Sequence, residues 1–172
     1  HRDISPPNIL VSLEGEVKIT DFGIAKAARK LGVTEAGIVK GTFGYMSPEQ
    51  VRGIPVDHRT DIFSAGILLH EMLTGRRLFV GENELDAIEK VKLGRVPAPS
   101  ALNPKLSSAI DPIVFRALAR DPADRYADAN EFQLALSRFL FTAGSGATAS
   151  TLSRYLRELF RDARSESWPA MP

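Results

Sequence analysis

The sequence predicts a mainly α-helical lobe that carries one small β-hairpin at its front edge. Four stretches, residues 61–74, 84–93, 110–118 and 128–141, repeat apolar side chains at helical spacing. Two short β-rich runs, residues 9–12 and 17–20, bracket a turn that contains a glycine, which is typical of a hairpin. Helices therefore supply most of the predicted core, and the hairpin precedes all of them in the chain.

The stretch from Asp61 to Thr74 gives the strongest helix signal. Apolar side chains occur nearly all round this helix, and Gly75 follows it as a natural stop. A helix that is apolar on most faces is normally buried, so we expect it to lie at the centre of the lobe. The next predicted helix ends at Gly94 in the same way.

Irregular segments separate these elements. The first eight residues contain two prolines and are too irregular for a helix or a strand, and residues 24–46 form a long loop. Residues 96–104 are rich in proline and predict a connector without regular structure. These segments place the long loop directly after the hairpin.

The C-terminal part predicts a separate amphipathic helix. A domain over residues 1–141 is followed by small residues over 142–150, which predict a flexible linker. Apolar side chains at helical spacing then predict a helix over residues 151–164. Residues 165–172 are expected to be an unstructured tail.

Composition narrows the possible functions. The chain has 172 residues, and 22 basic against 21 acidic side chains leave a formal charge of +1, which gives no general attraction to nucleic acid or to anionic membranes. Because cysteine is absent, disulfides and thiolate metal ligands are excluded. No apolar run is long enough to span a membrane, and no segment has the pattern of a signal peptide. A cytoplasmic location is therefore expected.

Three short motifs follow one another in the first fifty residues. His1-Arg2-Asp3 is followed, after four further residues, by Asn8. Asp21-Phe22-Gly23 comes directly after the predicted hairpin, and Ser47-Pro48-Glu49 closes the long loop. The first matches the H-R-D-x-x-x-x-N catalytic loop of protein kinases, the second their D-F-G, and the third differs from A-P-E at one position. Over residues 1–141 the sequence resembles the C-terminal lobe of a bacterial serine/threonine protein kinase.

The resemblance implies a site that transfers a phosphoryl group from ATP, with Mg²⁺, to serine or threonine hydroxyls of proteins. Asp3 would accept the proton of the substrate hydroxyl. Asn8 and Asp21 would hold Mg²⁺, because hard oxygen ligands suit an ion that also bridges phosphates. Phe22 and His1 would pack together beneath the site. The residues that would border the nucleotide and its metal are Asn8, Asp21, Phe22 and Gly23.

Four further positions agree with this family. Thr42 stands where serine/threonine kinases place a threonine that steadies the catalytic aspartate. Glu49 resembles a glutamate that pairs with a distant arginine, for which Arg125 is the expected partner. Asp61 resembles an aspartate that accepts backbone hydrogen bonds from the catalytic loop. A simple N-cap role for Asp61 is the alternative, and the two roles are compatible.

Regulation is predicted from two cations and a threonine. Arg2 is expected to be a buried cation beside the catalytic aspartate, and Lys26 lies just after the Asp-Phe-Gly turn. A phosphate on the following loop would bridge such cations and order the segment. Thr34 precedes Thr42 by eight residues, a spacing similar to that of activating threonines in bacterial kinases, and is the predicted phosphosite. An unmodified, solvent-facing threonine is the alternative.

The sequence departs from the family pattern in two ways. Serine/threonine kinases generally carry lysine two residues after the catalytic aspartate, and Ser5 stands there instead. Another cation must then compensate near the γ-phosphate, although a subset of bacterial kinases resembles this sequence in having serine. The 172 residues also include no Gly-rich phosphate loop and no strand lysine. We therefore expect this chain to be a truncated kinase that is inactive by itself. The N-terminal lobe of the same kinase is its expected missing partner.

Two other functions stay open. A small-molecule phosphotransferase of the aminoglycoside or choline kinase type also uses an Asp–Asn loop and a later metal-binding aspartate. Those enzymes typically have glycine where Arg2 stands, and they lack the Pro-Glu with its distant arginine. A non-catalytic pseudokinase scaffold is opposed by Asp3, Asn8 and Asp21, but stays possible for the segment alone.

The C-terminal helix is expected to pack on the lobe or on a partner rather than on a membrane.

Overall fold

The computed structural model describes residues 1–22, 42–144 and 146–161. A 3-10 turn (Pro6–Asn8) leads into an antiparallel pair of strands, β1 (Ile9–Val11) and β2 (Val17–Ile19). The described residues then contain seven α-helices: α1 (Pro48–Val51), α2 (Arg59–Thr74), α3 (Glu84–Leu93), α4 (Pro99–Leu102), α5 (Asp111–Ala117), α6 (Ala129–Thr142) and α7 (Ala149–Leu159). This order confirms the predicted fold class, a mainly helical lobe with a hairpin at its front.

Helix α2 forms the centre of the lobe, as its apolar pattern predicts. Its side chains Phe63 and Ile67 are almost completely buried and join the main core. Residues of other helices and of the connecting segments also belong to that core. Its buried members are Tyr45, Phe63, Ile67, Phe79, Val91, Ile110, Val114 and Leu118. Burying so much apolar surface around one helix supplies most of the stabilisation of the lobe.

Gly66 lets helix α5 approach α2 closely. A Cβ atom on Gly66 would lie 3.0 Å from the side chain of Ala117 and 3.1 Å from that of Leu118. These distances are shorter than ordinary contacts between carbon atoms, so a larger residue would push the two helices apart. The glycine inside this otherwise apolar helix therefore has a packing reason.

A smaller core fixes α5 and α6 against α2. Its buried members are Ile62, Ala117, Tyr126 and Phe132. The rings of Tyr126 and Phe132 stack with centroids 4.9 Å apart, a separation that is favourable for aromatic pairs. This cluster holds the segment between α5 and α6, which includes Arg125, against the central helix.

The hairpin lies at the surface of the described part of the lobe. Its strands pair in the register Ile9 with Ile19 and Val11 with Val17. The side chains of Leu10 and Val17 are more than half exposed, at 56% and 57%. Apolar strand residues with this exposure leave the hairpin only partly covered by the described residues.

Helix α7 packs across the turn of the hairpin. The hydroxyl of Ser153 donates a hydrogen bond of 2.6 Å to the backbone carbonyl of Leu13. The guanidinium of Arg157 lies 3.5 Å from the carboxylate of Glu14. Of the two predicted alternatives, packing on the lobe or on a partner, the described contacts are to the lobe, and those named here are polar. Most of its apolar stripe remains exposed, including Tyr155, Leu159 and Phe160.

Several predicted boundaries differ from the structure. The central helix begins at Arg59 instead of residue 61, and the C-terminal helix spans Ala149–Leu159 instead of 151–164. The proline-rich connector over 96–104 contains the short helix α4, because Pro99 occupies its first turn, where a missing N–H is tolerated. The predicted tail over 165–172 lies outside the described residues, as does most of the predicted loop. Among the described helices, none has the length and apolar character needed to cross a bilayer.

Candidate active site

The hairpin brings Asn8 beside the residue that precedes Asp21. The backbone N–H of Thr20 donates to the carbonyl of Asn8 at 2.9 Å, and the Thr20 hydroxyl lies 3.4 Å from the same oxygen. This pairing extends the register of the two strands by one step beyond Ile9 and Ile19. The two predicted metal ligands, one before β1 and one after β2, therefore lie at the same end of the hairpin.

Asn8 also binds the backbone of the predicted catalytic residue. Its Nδ2 donates a hydrogen bond of 2.8 Å to the carbonyl of Asp3, and its side chain is largely buried. The backbone N–H of Asn8 donates to the carbonyl of Ser5 at 2.9 Å, which closes the 3-10 turn. The side-chain amide thus joins the start of the hairpin to Asp3. The structure therefore brings Asp3, Asn8 and Asp21 to one edge of the lobe.

His1 connects the same segments from another side. Its Nε2 lies 2.8 Å from the carbonyl of Thr20, and its Nδ1 lies 3.3 Å from the backbone N–H of Asp3. Because a carbonyl only accepts, Nε2 carries the proton and Nδ1 accepts. The ring also lies 4.9 Å from that of Phe22, tilted by 57°. The two aromatic residues expected to pack together are in contact, although Phe22 is 66% exposed.

Asp61 holds the backbone at the start of the predicted catalytic loop. Its Oδ2 lies 2.8 Å from the backbone nitrogen of His1, and its Oδ1 accepts a hydrogen bond of 2.7 Å from the backbone N–H of Arg2. The N-cap residue of α2 is His58, and Asp61 lies in the first turn. The structure therefore favours the contact with the catalytic loop over the simple N-cap role.

Two non-glycine residues of the site have a left-handed backbone. The φ angle is +69° at Arg2 and +58° at Asp21. This region is unfavourable for residues with a Cβ, and it persists only where surrounding contacts hold it. Arg2 directly precedes the predicted catalytic residue Asp3, and Asp21 is itself a predicted metal ligand.

The expectation that Arg2 is a buried cation is wrong. Its side chain is exposed among the described residues, because its contacts to the lobe run through its backbone, to Asp61 and to Gln50. Thr34, the predicted phosphosite, lies outside the described residues. Lys26, the second cation predicted to bind its phosphate, and Gly23 lie outside them as well. Thr42 begins a 3-10 turn (Thr42–Tyr45), and its side chain lies outside the described residues.

Glu49 and Arg125 form a buried ion pair with two hydrogen bonds. Arg125 Nη1 lies 2.7 Å from Glu49 Oε1, and Arg125 Nη2 lies 2.8 Å from Oε2. The hydroxyl of Thr60 donates a third hydrogen bond of 2.7 Å to Oε1. Burial raises the pKa of the Glu49 carboxyl, but the hydrogen bonds from Arg125 and Thr60 outweigh it, and the pKa is lowered. The pair ties α1 to the helical base.

Tyr45 and Glu71 form a second polar contact beside the same segment. The Tyr45 hydroxyl donates a hydrogen bond of 2.6 Å to Glu71 Oε2, and the backbone N–H of Leu78 donates to Oε1 at 3.1 Å. Burial and the neighbouring carboxylate together raise the pKa of Tyr45 to about 12. This contact anchors the residues just before α1 to the end of α2.

Two residues of the site were missed from the sequence, Gln50 and Thr60. A Ser-x-x-Gln pattern at Ser47 signals a capping box, and Gln50 indeed accepts from the N–H of Ser47 at 3.0 Å. The pattern does not reveal that Gln50 Nε2 also donates to the carbonyl of Arg2, 48 positions away, at 2.8 Å. No local signal marks Thr60 as a partner of Glu49.

The described residues include the two predicted metal ligands, Asn8 and Asp21. They contain no group of three or more histidine, aspartate or glutamate side chains that could hold one. Asn8 and Asp21 at the hairpin end supply one amide oxygen and one carboxylate. Such oxygen ligands fit Mg²⁺, which usually keeps several waters and binds substrate phosphates in addition to one or two protein groups. The residues present are therefore compatible with a nucleotide-bound Mg²⁺.

Comparison with known proteins gives the family. The protein kinase domain family matches residues 1–136. The chain is 43% identical over 129 residues to "Serine/threonine-protein kinase PknL" of Mycobacterium tuberculosis, covering 75% of this chain and 32% of the relative. It is also 43% identical over 141 residues to "Serine/threonine-protein kinase PknB" of that species, covering 80% of this chain and 22% of the relative. The chain belongs to the protein kinase family.

A third relative extends the similarity to the C-terminal helix. The chain is 43% identical over 164 residues to "Tyrosine-protein kinase MasK" of Myxococcus xanthus, covering 95% of this chain and 25% of the relative. A match of that extent in a chain of 172 residues includes α7. The chain spans about a fifth to a third of the length of these relatives.

Proposed function

We propose that this chain supplies the catalytic and metal-binding loops of a protein kinase that transfers the γ-phosphoryl group of ATP to a protein hydroxyl. One observation carries the proposal. The side chain of Asn8 binds the carbonyl of Asp3, while its backbone carbonyl binds Thr20, the neighbour of Asp21. These contacts support a site in which residues from two separate motifs act at one edge of the lobe, as phosphoryl transfer by this family requires.

Each of the three residues has a distinct role. Asp3 orients the attacking hydroxyl and accepts its proton as the oxygen bonds to the γ-phosphorus and ADP leaves. Asn8 and Asp21 hold the ion, with the Nδ2 end of the Asn8 amide engaged by Asp3 and the oxygen end assigned to the metal. When bound, Mg²⁺ neutralises the charge on the transferring phosphate. Ser5 supplies no cation at the position next to this centre, so another group must provide that charge.

Serine and threonine are the proposed substrates. The segment that begins at Thr42 supports this class, and the two mycobacterial relatives carry the same class in their names. The name of the Myxococcus relative instead specifies tyrosine, so a tyrosine hydroxyl is the second candidate. Phosphoamino-acid analysis of the product separates the two.

Regulation by phosphorylation of Thr34 remains part of the proposal. A phosphate there would be met by Lys26 and by Arg2, and the exposure of Arg2 leaves its guanidinium accessible to such a phosphate. The use of ATP and the cysteine-free composition support a cytoplasmic location for this segment.

The 172 residues by themselves are expected to bind Mg-ATP more weakly than about 1 mM and to transfer no phosphate. Their sequence includes no Gly-rich loop and no strand lysine to hold the nucleotide. The exposure of Phe22, Leu10 and Val17 supports a further covering element on this edge, for which the N-terminal lobe of a kinase is the proposed partner. Titration calorimetry that gave micromolar binding would contradict this expectation.

The two alternatives are weaker. A small-molecule phosphotransferase is opposed by the buried Glu49–Arg125 pair, because those enzymes lack the Pro-Glu with its distant arginine. A pseudokinase scaffold is opposed by Asp3, Asn8 and Asp21, which occupy one edge together.

A fusion tests the proposal directly. The N-terminal half of the kinase domain of the mycobacterial PknB relative is joined before His1, and the product is incubated with radiolabelled ATP, Mg²⁺ and a general protein substrate. We expect phosphoserine and phosphothreonine in the substrate and none without Mg²⁺. A folded fusion that binds ATP but transfers no phosphate would support the scaffold alternative.

A further inference from the structure

Besides His1, whose Nδ1 lies 3.3 Å from the N–H of Asp3, three side chains from three different elements hold the backbone around Asp3. Asp61 of α2 accepts from the N–H of Arg2 at 2.7 Å, and Gln50 of α1 donates to the carbonyl of Arg2 at 2.8 Å. Asn8 donates to the carbonyl of Asp3 at 2.8 Å. The peptide groups before and after Arg2, and the one after Asp3, each have a side-chain partner.

The contact from Gln50 acts on the peptide group that leads directly into Asp3. The carbonyl of Arg2 and the N–H of Asp3 belong to one planar unit, so fixing the oxygen also fixes the direction in which Asp3 leaves. Arg2 has a φ of +69°, a region that costs about 1–2 kcal/mol for a residue with a Cβ. Without partners at both ends of Arg2, this residue would relax and rotate the plane.

The amide of Gln50 is held in one orientation by its own partners. Its Oε1 accepts from the N–H of Ser47 at 3.0 Å, and its Nε2 donates to the Arg2 carbonyl. Because an N–H only donates and a carbonyl only accepts, the oxygen and nitrogen positions are unambiguous. The adjacent Glu49 is fixed by Arg125, so Gln50 projects from a helix that is tied to the helical base.

We propose that Gln50 is a positioning residue for Asp3. Through one hydrogen bond it transmits the position of α1 to the peptide plane that orients the catalytic carboxylate. The inference rests on the proposed function for the role of Asp3, but its structural part, the fixing of the Arg2–Asp3 peptide, stands on contacts alone.

A pair of variants in the full 172-residue chain separates this contact from helix capping. Gln50→Glu keeps an oxygen that accepts from Ser47 but loses the N–H that binds Arg2. Ser47→Ala removes the capping hydroxyl but keeps the Gln50 amide. We expect Gln50→Glu to speed amide hydrogen exchange at Arg2 and Asp3 about fivefold, the effect of one lost hydrogen bond, with α1 unchanged. Ser47→Ala should instead affect α1. Equal exchange at Arg2 and Asp3 in the wild type and Gln50→Glu would overturn the proposal.

The pH profile of Gln50→Glu adds a signature that a purely structural role does not produce. When the introduced carboxyl is protonated, near its ordinary pKa of about 4.3, its O–H can again donate to the Arg2 carbonyl. The exchange difference from the wild type should therefore shrink as the pH falls through that value. A difference that stays constant or grows on acidification would contradict the hydrogen bond as the cause.

Kinetics in the fusion kinase connect the contact to catalysis. Gln50→Glu should lower kcat about tenfold while the KM for ATP stays within about twofold, because the nucleotide contacts are unchanged. An unchanged kcat together with faster exchange at Asp3 would overturn the positioning role. If the wild-type fusion transfers no phosphate, the proposed function fails, whereas the exchange measurements still decide whether Gln50 fixes the Arg2–Asp3 peptide.

Discussion

The carboxylate of Glu49 and the guanidinium of Arg125 meet through two hydrogen bonds of 2.7 and 2.8 Å, although the residues are 76 positions apart. Both side chains are almost completely buried. Arg125 also donates to the backbone carbonyls of Ala119 and Arg59, and its guanidinium lies 4.8 Å from the ring centre of Phe63. The pair therefore joins α1, which carries Gln50, to the core of the helical lobe.

Removing Arg125 should strongly destabilise the lobe. Arg125→Met leaves the buried carboxylate of Glu49 without its cation, and we expect the free energy of unfolding to fall by about 3–5 kcal/mol. Urea unfolding followed by circular dichroism measures this loss. The double variant Glu49→Leu with Arg125→Met should recover part of it, since no uncompensated charge remains. A single variant within about 1 kcal/mol of the wild type would show that the pair is not a structural link.

Stability should also fall on acidification because of this pair. The pKa of Glu49 is lowered below its ordinary value of 4.5 in the folded protein. Its contribution is thus fully present above pH 4.5 and is lost as the pH falls through the lower folded pKa. Unfolding free energies measured from pH 7 to pH 3 should decline more steeply in the wild type than in Glu49→Gln. Parallel curves would contradict this assignment, because other carboxylates, among them Asp57, Asp86 and Glu131, are present in both proteins.

Gly15 should tolerate no side chain, for a reason that a second glycine can isolate. Both Gly15 (φ +84°) and Gly53 (φ +68°) have left-handed backbones, but a Cβ on Gly15 would lie 2.1 Å from the carbonyl oxygen of Ala149, whereas Gly53 has open space. Gly53→Ala should cost about 1 kcal/mol from backbone strain alone. Gly15→Ala should cost more and release α7 from the hairpin.

Limited trypsin digestion reports the release of α7 directly. Cleavage after Arg154 and Arg157 should become faster in Gly15→Ala and stay at the wild-type rate in Gly53→Ala. Identical digestion of the two variants would mean that α7 does not rest on the hairpin turn in solution.

Local sequence patterns predicted the elements of this fold well. Helical spacing of apolar residues located α2, α3, α5 and α6, and two β-rich runs around a glycine located the hairpin. The sequence does not predict helix α4, because a proline-rich segment indicates irregular structure, whereas proline is tolerated in the first turn of a helix.

Only those residues of the site that belong to the sequence motifs were predictable. The motifs singled out Asp3, Asn8 and Asp21, but the contact between Gln50 and Arg2 spans 48 positions and depends on how α1 lies against the catalytic loop. The left-handed backbone of Arg2 is likewise indicated by no neighbouring residue in the sequence.

The phenol of Tyr45 should titrate late. Burial, with the hydrogen bond to Glu71, raises its pKa to about 12 from 10.0. Because folding raises the pKa of Tyr45, the protonated phenol contributes to the stability of the fold below pH 10. This contribution is lost as the pH rises towards 12. Ultraviolet difference spectra should show a tyrosinate phase near pH 12 that Tyr45→Phe removes. A late phase that persists in Tyr45→Phe would contradict the burial of the Tyr45 phenol.

The proposed function requires that Asp3, Asn8 and Asp21 act together on a metal-bound nucleotide. Phosphate transfer by the fusion kinase, compared among the wild type, Asp3→Asn, Asp21→Asn and the surface control Asp124→Asn, tests it most directly. We predict a loss of about 100- to 10,000-fold in kcat for the first two variants and wild-type transfer for the control. Transfer by Asp3→Asn or Asp21→Asn at the rate of the control would contradict the claim.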